Sequence, residues 1–263
     1  METATISTER LLQCLAADEA RLRAVAARDL TAAVPSCPGW SVTDLVTHVA
    51  VTYLHKAECM RRGELPRPWP PDTSGEDPVT LLDRGYAEMT SEFVTRAPES
   101  PTYTWYDADQ SVGFWVRRMA QETVIHRVDA ELAAHLPITS IPDDLAVDGV
   151  DEVLERFLAF ATRMWPEDFD DLLATAEGTV LVSAGGHGWL LQMAPAGVTV
   201  RRVAGSGGVV DPAGSAGSTS QVSGDPQAVL LWLWRRAGDD VIEISGDPKP
   251  VERLRALLGP ATQ

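Results

Sequence analysis

Positive charge is scarce in this sequence. Its 263 residues hold 22 lysines and arginines against 38 aspartates and glutamates, a net charge of −16. Such a chain offers no broad basic face, which argues against nucleic acid or an anionic membrane surface as its main partner. A small anionic substrate remains open, because it feels only the local field of its pocket. Cysteine is sparse as well. Cys14, Cys37 and Cys59 show neither zinc-finger spacing nor a disulfide framework, which fits a reducing compartment. No apolar stretch approaches the length that crosses a bilayer, and residues 1–10 lack the apolar run of a signal peptide. There is no internal repeat. The chain is expected to be soluble and cytoplasmic, a monomer or homodimer, and its 44% of hydrophobic residues can build a sizeable core.

Periodicity organises what is there. Leu11, Leu12, Leu15, Leu22 and Val25 recur near every 3.6 residues and predict a helix over 4–28. Residues 34–40, with two prolines and a glycine, read as a turn. Ser41 then stands as an N-cap with Asp44 three residues on, a capping box of the Asp type, and the helix runs over 42–62. Residues 63–78 hold five prolines and two glycines and read as a long loop, a candidate lid or rim. Helices over 79–97 and 113–135 complete a four-helix bundle spanning 1–138. The proline-containing stretch 136–142 reads as a linker. A smaller mixed unit, 145–263, follows: a helix over 148–164, strands at 179–184, 189–193 and 198–203, a helix over 225–236, a strand at 241–245 and a helix over 248–258. Gly, Ser and Ala dominate 204–220, predicting a flexible segment. The fold class is α+β.

The chemistry concentrates on the fourth helix. Trp115, Arg118, Met119, Glu122, Ile125, His126 and Asp129 fall on or beside one face, mixing apolar residues with charges that are expensive to bury unpartnered. Glu122 and His126 are four apart, one turn on the same face. With His48 from the second helix they offer two imidazoles and one carboxylate to a divalent metal, leaving a coordination position open. Two plainer readings stand beside this: an exposed Glu122/His126 pair with Arg118 as a salt-bridge partner, and His48 as a core histidine. Cys37, just before a helix N-terminus, is read as packing in its turn more than as a nucleophile. Trp40 and Trp115 are read as core more than as pocket wall, and His55, about two turns from His48, as lying away from the site more than on its rim. The Gly185-Gly186 pair follows a strand and opens another strand, so it is not a phosphate loop.

Three segments carry a family resemblance. Cys37-Pro38-Gly39-Trp40-Ser41-Val42-Thr43-Asp44-Leu45-Val46-Thr47-His48 resembles the first signature of the mycothiol-dependent maleylpyruvate isomerase family, within the DinB-like superfamily of metal-binding four-helix bundles. The stretch from Trp115 through Glu122-Thr123-Val124-Ile125-His126 to Glu131 resembles the second. Trp232-Leu233-Trp234-Arg235-Arg236, followed by Ile244-Ser245-Gly246-Asp247-Pro248, is similar to the family's C-terminal domain, which has a sterol-carrier-like fold. By position the resemblance implies zinc, or another divalent metal, on His48, Glu122 and His126. It also implies a catalytic-domain arginine at Arg236, with Arg235 as the near alternative. The family commonly has histidine before the ligand glutamate; here Gln121 stands there.

The implied reaction uses mycothiol as thiol cosubstrate. Its thiolate adds to the conjugated double bond of maleylpyruvate, the resulting single bond rotates, and elimination gives the trans isomer. Arg236 and Arg118 are the expected partners of the substrate carboxylates, because a guanidinium fork matches a carboxylate with two bonds. The partners implied are thus a small thiol and a small anionic or electrophilic substrate. A thiol transferase, a biosynthetic enzyme of specialised metabolism and a non-catalytic metal-binding or regulatory module are the competing functions on the same fold.

Overall fold

A computed structural model of the chain describes residues 6–203, 205–206, 209–210 and 220–262. It divides into two compact units, residues 1–139 and 140–263. The first unit contains four helices: α1 (Thr8–Ala26), α2 (Val42–Arg62), α3 (Pro78–Thr95) and α4 (Val112–Ala133). Each begins on a side chain that accepts from an otherwise orphaned backbone amide: Ser7, Ser41, Asp77 and Ser111. At Ser41 the box is complete. Its hydroxyl accepts from the Asp44 amide at 3.3 Å, while its own amide donates to the Asp44 carboxylate at 2.8 Å. Gly63, at φ 69°, ends α2 in the left-handed conformation.

Packing then sets the bundle. α2 lies against α3 and α4, and α1 lies against α4. At Gly85 of α3 the backbones come so close that an added Cβ would sit 2.7 Å from the Ala50 carbonyl oxygen. Helix α4 is covered on nearly every side, so its charges need partners inside the protein. Arg127, fully buried, donates to Asp18 of α1 and to Glu131, both at 2.9 Å. Glu131 also accepts from Arg21 at 2.7 Å. These bonds tie α4 to α1. Arg118, Glu122, His126 and Asp129 are the charges left for the side facing α2 and the turn before it.

The second unit opens with a continuous helical stretch, α5 (Asp143–Glu152), a π-helical segment (Val153–Ala159) and α6 (Phe160–Met164), followed by the short α7 (Asp170–Ala174). Strands β1 (Gly178–Ala184), β2 (His187–Ala194) and β3 (Gly197–Val203) form an antiparallel meander. A two-residue hairpin, β4 (Gly205–Ser206) and β5 (Val209–Val210), precedes β6 (Ser220–Gly224). β6 pairs parallel to β1, and β7 (Glu243–Gly246) runs antiparallel to β6, giving the order β3-β2-β1-β6-β7. α8 (Pro226–Leu233) packs on α5, and α9 (Pro248–Ala261) on β1 and β6. The architecture is α+β, a helical unit followed by a small mixed-sheet unit, as the sequence predicts. Most of the glycine-rich segment 204–220 lies outside the described residues. No helix among the described residues is long and apolar enough to cross a membrane.

Candidate metal centre

The turn over 34–40 is closed by backbone bonds between Val34 and Trp40 and between Cys37 and Trp40, with Gly39 at φ 86°. It presents Ser36, Cys37 and Trp40 to the start of α2 and the middle of α4. Ser36 donates to the buried Asp129 carboxylate at 2.5 Å, and the Cys37 sulfur lies 3.8 Å from its other oxygen. Cys37 is therefore held against Asp129, in keeping with a packing role. Asp129 in turn accepts from His126 Nδ1 at 2.9 Å. That bond fixes the imidazole so that Nε2 faces α2.

Glu122, on the same face one turn earlier, completes the arrangement. Its Oε1 lies 3.1 Å from His48 Nε2 and 3.2 Å from His126 Nε2. Its Oε2 is taken by the Arg118 guanidinium. Trp40 packs on the His48 ring with centroids 5.1 Å apart, and the two imidazoles meet edge to face at 5.0 Å. One ligand atom from each of His48, Glu122 and His126 lies within 4.8 Å of the others. Around a tetrahedral ion with bonds of about 2.0–2.1 Å, neighbouring ligand atoms stand about 3.3 Å apart. The two separations from Glu122 match that edge length and the imidazole nitrogens lie within 4.8 Å of each other, so the donor set fits a divalent metal. Three protein donors leave one tetrahedral position open.

Electrostatics agree with this geometry. Burial would push Glu122 up, but Arg118 foremost, then His126 and His48, hold it well below the usual carboxylate range. Burial likewise disfavours charge on His126, yet Glu122 and Asp129 outweigh it and raise the imidazole to about 9. A negative charge is thus maintained where a cation would sit. The site opens outward: the His48 side chain is 41% exposed, whereas Glu122 and His126 are 11% and 10%. A concavity of about 480 Å³ over His48 is lined by Gly39, Trp40, Asp44, Thr47, Val51 and Thr52, within the size range of small-molecule sites.

The structure brings together His48, Glu122, His126 and Arg118, but gives Arg118 to Glu122 as a partner. Arg235 and Arg236 belong to the second unit, at the end of α8. Arg235 is exposed at φ 62°, and Arg236 donates to the Trp234 carbonyl at 2.7 Å with its guanidinium 5.8 Å from that indole. Gln121 is fully buried. Sequence reasoning missed the role of Asp129, although its place three residues after His126 was a readable signal. It also missed the clamp from Ser36, which depends on how the turn folds back.

Fold and site define a class: a helical-bundle unit carrying a convergent pair of imidazoles and a carboxylate, followed by a small mixed-sheet unit. The family model described as the mycothiol maleylpyruvate isomerase N-terminal domain matches residues 11–131, and that of the MDMPI C-terminal domain matches residues 144–253. The chain belongs to the mycothiol-dependent maleylpyruvate isomerase family. A crystal structure of the mycothiol-dependent maleylpyruvate isomerase is similar at 15% identity and a TM-score of 0.59, covering 92% of this chain and 95% of that one. A histidine-to-alanine variant of that enzyme gives 14% identity and a TM-score of 0.60 over the same shares. At such identities the likeness establishes the fold. No curated protein matches the chain.

Proposed function

We propose that this protein is a metal- and thiol-dependent isomerase of the maleylpyruvate type, with mycothiol as cosubstrate and zinc as the metal. The observation that carries this reading is the convergence of His48 Nε2, Glu122 Oε1 and His126 Nε2 on one point, in a chain whose two halves both match the family. A zinc ion bound by two neutral histidines and one carboxylate keeps a net charge of about +1 and acidifies a thiol at the open position.

The chain's own residues supply the rest. Asp129 keeps Nε2 of His126 turned to the site and unprotonated once a cation is bound. Arg118 occupies Glu122 Oε2, so that Oε1 alone faces the imidazoles. Trp40 walls His48 and limits water on that side. In the reaction, the mycothiol thiolate forms a C–S bond to one alkene carbon, and the electron pair moves into the conjugated carbonyl as an enolate. Rotation about the new single bond follows. The enolate then expels the thiolate, giving the trans alkene and returning the thiol. Arg236, with Arg235 as the near alternative, is assigned to a substrate carboxylate.

Zinc-loaded protein given mycothiol and maleylpyruvate is expected to form fumarylpyruvate, and chelation, omission of the thiol or His48→Ala should each abolish the reaction. Turnover indifferent to both chelator and thiol would contradict the proposal. Accumulation of a stable thioether in place of the trans isomer would identify a transferase on the same site.

A further inference from the structure

Lys56 is one of only two lysines in the chain; the other is Lys249. It sits on α2, at i+8 from His48 with Thr52 between them, so the three share a helix face. Its ammonium lies 4.7 Å from the ring centroid of Trp115, which is fully buried on α4, and 3.2 Å from His55 Nδ1. No carboxylate lies within ion-pair distance of it among the described residues. Its neighbours on α2, His55 and Cys59, carry no full negative charge. His55 is neutral, because burial and then Lys56 push its imidazole down to about 4, and burial pushes the Cys59 thiol up to about 11.

The indole face attracts the ammonium, but an amine buried without a counter-ion remains costly to keep charged. Burial accordingly draws it down to about 8, with Cys59 first and then Glu122 pulling the other way and Arg118 repelling it. On α4, Trp115, Arg118 and Glu122 climb the facing ladder toward His126. Arg118 is already committed to Glu122. Lys56 is then a cation beside the site that lacks an anion, and its backbone lies about 12 Å along α2 from that of His48.

We propose that Lys56 is the substrate's anion anchor: its ammonium holds a carboxylate of a small dianionic electrophile whose reactive carbons lie toward His48, while Arg118 stays bound to Glu122. This rests on reading the site as one for a thiol-dependent reaction of a carboxylated substrate. Only a carboxylate at the far end of the molecule would complete both the charge and the hydrogen bonds of the amine. Substrates lacking it would bind weakly even with the metal and thiol in place.

The test needs neither thiol nor turnover, so it can fail independently of the isomerase reading. Zinc-loaded protein carrying ¹³Cε-lysine shows two lysine resonances, assigned with Lys249→Arg, and is titrated with maleate or with its neutral dimethyl ester. Maleate is expected to shift the Lys56 resonance saturably and leave that of Lys249 in place, while the ester shifts neither. Lys56→Met, checked for one zinc per chain and an unchanged thermal midpoint, should bind maleate at least tenfold more weakly. An unmoved Lys56 resonance in the wild-type protein would overturn the proposal whatever the variant does, as would equal maleate affinity in Lys56→Met.

Discussion

Glu122 is held by three groups at once, and each removes a different freedom: Arg118 fixes one oxygen, and the two imidazoles share the other. The cost of burying this carboxylate is offset only while cations surround it. In the metal-free protein one of those cations is His126, raised to about 9 by Glu122 and Asp129 against the effect of burial. The sign of its pH dependence follows. His126 stabilises the metal-free fold fully below its ordinary value of about 6.5, and that contribution fades as pH rises through about 9. A metal must displace the same proton, so zinc affinity should rise about tenfold per pH unit between pH 7 and 9 and then level off. Zinc titrations at a series of pH values would show this, and a flat affinity would contradict it. At this scale the spacing of Glu122 and His126 was legible, because a helix imposes it. The meeting with His48 was legible through the family resemblance and not through any local rule, since none states which face of α2 turns toward α4. Lys56 was invisible for the same reason: a single lysine on a helix reads as solvated until its neighbours are known.

Helix α2 carries His48 into place through its ends and its packing. The capping box at Ser41 and Asp44 starts the helix at a defined residue, and therefore sets the direction in which His48 points two turns on. Both residues could be read from the sequence. The close contact between Gly85 and the Ala50 carbonyl could not, because it depends on two helices meeting. Gly85→Ala should push α3 away from α2 and destabilise the fold by on the order of 1–3 kcal/mol, visible as a lowered denaturant midpoint. An unchanged midpoint would show that the helices can separate freely at this point. In the second unit, the α5–α6 stretch was legible as helix but its π-helical segment was not, since an i→i+5 bond leaves little trace in composition. Helix α8 ends at Leu233, sooner than its apolar run suggests, with Arg235 in a left-handed conformation just beyond it.

At the scale of the whole molecule, an acidic chain of two units places its one convergent metal-ligand cluster, among the described residues, inside the helical unit. The overall charge of −16 says little about the cluster itself, where Arg118 and His126 lie against Glu122. Family membership supports the proposal that the open position of the site takes a thiol. Gln121, fully buried beside Glu122, is not one of the three donors. Cobalt substituted for zinc tests the central claim most directly, because a bound thiolate gives cobalt a sulfur charge-transfer band. One equivalent of mycothiol should bring up that band in the wild-type protein and not in Glu122→Gln. Absence of the band in wild-type protein shown to hold one cobalt would contradict the account.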